Sequence, residues 1–135
     1  MNGPPERGLL DTSVLIAQEA GWQLHRERLP QKAAISIVTK AELRLGVLAA
    51  ANVELRDRRL ATLDSIAEMA VLPVWGAVER VWAGMRAYLA ASGRSVKVND
   101  LWIAATAAAY GMPVITQDRD FYALSGVNGL TVVEV

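Results

Sequence analysis

The chain has 135 residues and no cysteine, so it forms neither a disulfide nor a thiolate metal site. Its 14 basic and 14 acidic residues cancel, so the chain does not bind nucleic acid through a large net positive charge. Any contact with nucleic acid must therefore be made by a local group of residues. No apolar run approaches the about 20 residues that span a bilayer. The first ten residues have no apolar signal segment, so we expect one cytoplasmic domain over residues 1–135, without membrane association.

Short apolar runs alternate with longer amphipathic stretches from the start of the chain. Residues 1–7 contain two consecutive prolines and are expected to form a flexible tail. Strands are predicted at 8–11 and 33–37, because both segments are short and apolar. Helices are predicted at 13–20 and 22–29, the second ending before a proline.

The same alternation continues to the end of the chain. Thr39 and Glu42 have the spacing of a capping box, which predicts a helix over residues 39–51. Asn99 and Asp100 are good caps for the alanine-rich segment that follows them. The remaining predicted elements are helices at 53–70, 76–92 and 101–110, strands at 70–74, 113–116 and 130–135, and a loop or helical turn at 118–125. Apolar strands separated by helices predict an α/β fold, with a parallel sheet of four to five strands and helices on both faces.

Four acidic residues stand where a predicted strand ends or the next helix begins: Asp11, Glu42, Asp100 and Asp118. The carboxyl ends of parallel strands meet at one edge of a sheet, so we expect these side chains to lie close together. Carboxylates brought together repel one another unless a cation is present. Oxygen ligands without nearby His or Cys suit Mg²⁺ or Mn²⁺.

Each acid also has an ordinary structural interpretation. Glu42 can be the third helical residue of a capping box, Asp100 a helix cap, and Asp118 and Asp120 typical turn residues. Asp11 is least explained this way, because it closes an apolar strand. The combination of four acids on one edge, rather than any single residue, favours a metal site.

Four motifs in order give the chain a resemblance to a known family. They are LDTSVLI at 10–16, TKAELRLG at 39–46, NDLWIAATA at 99–107 and TQDRDF at 116–121. Together they cover nearly the whole chain and resemble the PIN-domain ribonucleases, in particular the VapC toxins of type II toxin–antitoxin (VapBC) pairs. The resemblance implies a three-layer PIN-like fold and a Mg²⁺-dependent endoribonuclease, with Mn²⁺ as an alternative ion.

The resemblance also implies roles for particular residues. It places the catalytic, metal-binding acids at Asp11 and Asp100, then at Glu42 and Asp118, with Asp120 as a substitute for Asp118. The hydroxyls available to bind these carboxylates or phosphate oxygens are Thr12, Ser13 and Thr116. Arg94 and Lys97 shortly precede Asp100 and are therefore candidates for phosphate contact.

The partners implied by the resemblance are an RNA substrate, a second copy of the chain in a homodimer, and a small VapB-type antitoxin. The antitoxin is expected to wrap an apolar groove and present a basic side chain to the acids. The predicted groove residues are Trp22, Leu43, Val47 and Leu48.

Other functions fit less well. A receiver domain needs paired acids after the first strand and a late lysine, whereas Thr12 and Ser13 follow Asp11 and no lysine follows Lys97. An Asp-x-Asp phosphatase needs an acid at position 13, which is serine. A housekeeping RNA-processing PIN nuclease and a non-catalytic PIN-like binding module both remain open.

Overall fold

The computed structural model describes residues 3–135, and Met1 and Asn2 lie outside the described residues. Within that range the chain forms five strands and five α-helices, joined by loops and short 3-10 turns. In chain order they are β1 (Arg7–Leu10), α1 (Thr12–Ala20), β2 (Lys32–Ser36), α2 (Ile37–Leu48), α3 (Val53–Ser65), β3 (Ala70–Leu72), α4 (Gly76–Ser92), α5 (Val98–Ala109), β4 (Val114–Thr116) and β5 (Val132–Glu134).

The strands form one parallel sheet with the order β3-β2-β1-β4-β5. The chain winds outward from β1 through β2 to β3, and later places β4 and β5 on the opposite side of β1. The winding direction therefore changes between β1 and β4, which is where open α/β sheets bind ligands. The predicted parallel α/β fold is confirmed, and β3 lies at an edge, as its neighbouring Pro73 favours.

Helices cover both faces of the sheet, which gives three layers. Consecutive strand residues point to opposite faces, so Leu9 joins one apolar cluster and Leu10 the other. The first cluster is completed by buried residues of α4 and α5, including Met85 and Ile103. The second is completed by residues of α1 to α3, including Val14. The two cores hold β1 rigidly at the centre.

The predicted helix at 22–29 is wrong. Gly21 has φ 74°, a left-handed conformation that ends α1, and the N–H of Trp22 donates to the carbonyl of Ala17 at 2.9 Å. Only the three residues Arg26–Arg28 then form a 3-10 turn. Glycine at this position therefore stops the helical pattern that the side chains would otherwise continue.

The flexible tail predicted at 1–7 is wrong for its last residues. The backbone carbonyls of Pro5 and Glu6 accept hydrogen bonds from the N–H groups of Gln31 and Lys32, and Arg7 opens β1. Pairing with the neighbouring strand satisfies this backbone, which composition alone does not reveal.

Candidate active site at the carboxyl edge of the sheet

Asp11 is the centre of the site and is 2% exposed. It directly follows β1, and its Oδ2 accepts hydrogen bonds of 2.6 Å from both Ser13 and Thr116. These hydroxyls in turn accept from the backbone N–H groups of Gln117, at 3.0 Å, and Asp118, at 2.8 Å. The carboxylate is thus fixed between the start of α1 and the end of β4.

Asp100 lies within range of the charges of the other three acids, and Asp11 within range of the charge of Asp118. Burial raises the pKa of Asp11, the hydrogen bonds from Ser13 and Thr116 oppose that rise, and the charge of Asp118 adds to it. The pKa of Asp100 is raised to about 7, first by burial and then by the charges of Asp11, Asp118 and Glu42. The nearby charge of Lys97 acts in the opposite direction. The edge therefore concentrates negative charge that one exposed lysine only partly offsets.

Glu42 is held at both carboxylate oxygens. Its Oε1 accepts from Thr12 at 2.7 Å, and its Oε2 accepts from Asn99 Nδ2 at 3.3 Å. The Thr12 and Thr39 hydroxyls lie 3.0 Å apart. Thr12 Oγ1 therefore contacts both Glu42 and the fully buried Thr39, and it ties the start of α1 to α2.

The capping-box interpretation of Glu42 is wrong. Helix α2 begins at Ile37, and its cap is Ser36, whose hydroxyl accepts from the N–H of Val38 at 3.0 Å. Thr39 therefore lies inside the helix, and Glu42 lies beyond the first turn. The three-residue spacing that suggested a cap instead places both side chains on one helix face, toward α1.

The cap interpretation of Asp100 is also wrong. The cap position of α5 is Lys97, so Asp100 is the third residue of the helix and lies in its first turn. A carboxylate there faces the positive end of the helix dipole, which favours its ionised form. Asn99, predicted as a cap, instead contacts Glu42, a role that no sequence pattern signals.

Asp118 and Asp120 separate clearly in the structure. Asp118 caps the 3-10 turn Arg119–Leu124 through a hydrogen bond from the N–H of Asp120, at 2.9 Å. Asp118 is half-buried and raises the pKa of both Asp11 and Asp100, whereas Asp120 is exposed. The geometry thus joins Asp118, and not Asp120, to the other acids.

The donor set has the chemistry that Mg²⁺ or Mn²⁺ takes: carboxylate oxygens, buried hydroxyls and an excess of negative charge. Within residues 3–135, however, no group of three or more Asp, Glu or His side chains is arranged to hold a metal ion. Mg²⁺ usually keeps several waters and needs about one or two direct carboxylates in proteins. By their oxygen chemistry and their charge, Asp11, Glu42, Asp100 and Asp118 are the residues that would supply carboxylates to such an ion.

A cleft of about 430 Å³ runs beside Glu42. Its apolar wall includes Ile16, Leu43 and Leu45, and the acids at its surface are Glu19 and Glu42. Of the four predicted groove residues only Leu43 lines this cleft. Val47 is buried, Leu48 is exposed elsewhere, and Trp22 lines a separate cavity.

No helix in residues 3–135 is long and apolar enough to cross a membrane.

Comparison with known proteins identifies the family. A model of the PIN domain matches residues 8–127, and the chain belongs to the PIN domain family. Among curated proteins it is similar to Ribonuclease VapC5 of Mycobacterium tuberculosis, with 53% identity over 135 residues and all of both chains covered. Ribonuclease VapC4 of the same organism is 40% identical over 127 residues, which are 93% of this chain and 97% of the relative.

Solved structures agree. The chain is similar to VapBC-5 from Mycobacterium tuberculosis, a member of the VapBC family of toxin-antitoxin systems, with a TM-score of 0.91 and 52% identity over 97% of this chain and 100% of that one. It is also similar to DNA-bound VapBC from Salmonella typhimurium, with a TM-score of 0.79 and 27% identity over 95% of this chain and 97% of that one. The family resemblance and the PIN-like fold predicted from the sequence are confirmed.

Proposed function

We propose that this chain is a Mg²⁺-dependent endoribonuclease that hydrolyses RNA phosphodiester bonds and acts as the toxin of a VapBC-type toxin–antitoxin pair. The observation that carries this proposal is the meeting of four acids at the switch point of the sheet, with the pKa of Asp100 raised to about 7. It is supported by 53% identity to Ribonuclease VapC5 over the full chain.

The proposed metal ligands are drawn from Asp11, Asp100, Glu42 and Asp118. When bound, a divalent ion would neutralise their repulsion, lower the pKa of a bound water and stabilise charge on the scissile phosphate. Asp11 is best placed to bind directly, because Ser13 and Thr116 both occupy its Oδ2 and leave Oδ1 available. The neutral hydroxyls around it orient the carboxylate without adding charge.

We assign Glu42 the role of general base. Thr12 binds Oε1 at 2.7 Å, while the contact from Asn99 to Oε2 is longer, at 3.3 Å. Oε2 is therefore the oxygen we expect to orient the attacking water and accept its proton. A positioned base of this kind typically contributes about 10²–10⁴-fold to the rate.

The antitoxin is proposed to occupy the cleft beside Glu42. An amphipathic helix buries its apolar face well in such a groove, and Glu19 and Glu42 would bind a basic side chain presented by it. A cation placed there would compete with the metal for Glu42, which would inhibit the enzyme without a conformational change. We also propose that the chain forms a homodimer, which light scattering of the purified protein tests. Its proposed RNA substrate is cytoplasmic.

Cleavage of total cellular RNA tests the proposed activity. We expect discrete fragments with Mg²⁺ or Mn²⁺, no cleavage with a chelator, and no cleavage by Asp11→Asn under any condition. Wild-type protein that cuts no RNA with either ion would refute the nuclease proposal and favour a non-catalytic binding module.

Expression in a bacterial host tests the role as a toxin. We expect expression of the chain alone to arrest growth, and co-expression of a small antitoxin encoded beside it to restore growth. An Asp11→Asn variant is the matched control and should be harmless. RNA cleavage in vitro without growth arrest would favour a housekeeping RNA-processing enzyme instead.

A further inference from the structure

Another cavity, of about 350 Å³, lies beside the acids and next to the cleft. It is lined by Ser13, Ile16, Trp22, Gln117, Asp118 and Arg119. Ser13 and Asp118 belong to the acidic site, so the cavity is continuous with it. Ile16 lines both this cavity and the cleft and forms the wall between them.

Trp22 stands at this cavity with a side chain that is 60% exposed. Its backbone is fixed, because its N–H donates to the carbonyl of Ala17 immediately after the left-handed Gly21. The chain thus holds a large flat aromatic surface in water, next to the acids. Aromatic side chains contribute most when their faces are covered, so this position is suited to a planar ligand.

The opposite wall is polar and partly rigid. The Nε2 of Gln117 donates to the backbone carbonyls of Gln23, at 3.1 Å, and Val135, at 3.3 Å, which holds that side chain in place. Arg119 pairs with Glu134 at 3.1 Å, but its side chain is 82% exposed. The pair uses Nε and Nη2, which both donate to the Glu134 carboxylate, so Nη1 is the donor that the guanidinium offers to a phosphate.

We propose that this cavity is a nucleobase subsite for single-stranded RNA, an inference that rests on the proposed ribonuclease function. A nucleotide next to the scissile phosphate would stack its base on Trp22, while Arg119 binds the adjoining phosphate. An unpaired strand is required, because only a base outside a duplex exposes its face. The cavity suits a nucleotide, because it combines a flat aromatic surface and an arginine and is continuous with the acids. An apolar peptide fits the neighbouring cleft better.

Kinetics with a matched pair of variants test the subsite. Trp22→Ala is compared with Trp75→Ala, because Trp75 is similarly exposed, at 58%, but lies at the start of α4 and hydrogen bonds to Tyr110. With a single-stranded oligoribonucleotide carrying a cut site mapped in total RNA, we expect Trp22→Ala to raise KM about 5- to 100-fold, the range typical of losing one base stack. The kcat should change less than about twofold, because Trp22 does not touch the acids. Trp22→Phe should restore most of the affinity, and Trp75→Ala should behave as wild type.

Binding measured without cleavage separates this inference from the nuclease proposal. In an Asp11→Asn background, fluorescence anisotropy of the same oligonucleotide should show weaker binding for Trp22→Ala. Arg119→Gln should also weaken binding and lower its salt dependence by about one phosphate contact. Wild-type protein that cuts RNA, with equal KM for both tryptophan variants and unchanged binding, would overturn the subsite and leave the nuclease intact. Unchanged KM together with lost neutralisation by the antitoxin would assign the cavity to the antitoxin and also overturn it. RNA binding that depends on Trp22 without any cleavage would refute the nuclease and keep the subsite.

Discussion

Replacing Asp100 with asparagine is expected to make the metal-free protein more stable at pH 8 than the wild type. In the folded state the pKa of Asp100 is raised from 3.8 to about 7 by burial and by the charges of Asp11, Asp118 and Glu42. As pH rises above about 4, the unfolded chain ionises at this residue first and the folded state loses stability. The loss is complete above pH 7, where Asp100 is charged in both states.

The size of the effect follows from the same pKa. A difference of about three pH units between folded and unfolded states corresponds to about 4 kcal/mol at 1.36 kcal/mol per unit. Asp100 is only half-buried and water screens its neighbours, so we expect about 1–2 kcal/mol. Asparagine cannot ionise, and it keeps the shape of the side chain.

Urea unfolding in the presence of a chelator measures this effect at pH 3.5 and pH 8. The advantage of Asp100→Asn should be smallest at pH 3.5, below the ordinary pKa of 3.8, and reach its full value at pH 8. Asp64→Asn, at an exposed position on α3, is the control and should show no such growth. Mg²⁺ at about 100 times its Kd should add about 2.7 kcal/mol to the wild type and less to the variant. A variant less stable than wild type at pH 8 in chelator would show that Asp100 is a structural hydrogen-bond partner and refute the repulsion argument.

Three further predictions concern individual acids, each measured as RNA cleavage together with thermal stability. Asp11→Asn should lower cleavage by at least about 100-fold and leave the fold intact, because the amide oxygen still accepts from the two hydroxyls; wild-type cleavage would place the metal elsewhere. Glu42→Gln should lower cleavage by about 100-fold or more without loss of stability. The control Ser36→Ala removes the true cap of α2, and it should lower the free energy of unfolding by about 1 kcal/mol and leave kcat unchanged. Full activity in Glu42→Gln would show that Glu42 takes no part in the chemistry. Asp118→Asn should inactivate and Asp120→Asn should not, and the reverse result would exchange their roles.

The positions of the strands and of the acids at their ends could be predicted from the sequence. Apolar runs such as 33–37 are short, and parallel pairing places their carboxyl ends together whatever the exact register. The bounds predicted for the helix at 76–92 agree with α4, because Gly93, with φ 67°, ends it in the left-handed conformation that glycine adopts readily.

The starts of the helices that carry two of the acids could not be predicted. Residues 37 and 38 are β-branched and favour a strand, yet α2 begins there directly after β2. Packing against the sheet outweighs that local preference, so the chain turns into a helix one turn earlier than its cap-like residues indicate. The same displacement moves Asp100 from a cap into the first turn of α5.

The bonds that orient the acids also lie beyond sequence reasoning. Thr12 and Thr39 are 27 residues apart, and Glu42 and Asn99 are 57 apart. Neither pair has a pattern that predicts contact, because only the folded sheet brings α1, α2 and α5 to the same edge. The residue types of the site could be predicted, but the hydrogen bonds between them could not.

The strand order determines when the acidic site is completed during translation. Synthesis proceeds from β1 toward β5, but β4 pairs with β1 and supplies Thr116, which lies 105 residues after the Asp11 that it binds. A growing chain that has released only β1 to β3 from the ribosome holds Asp11 and Glu42 without Asp100 or Asp118. The centre is completed only when α5 and β4 have followed and β4 pairs with the free edge of β1. If all four acids are required, as proposed, we expect the ribonuclease to be inactive through most of its own translation, on a ribosome built largely of RNA.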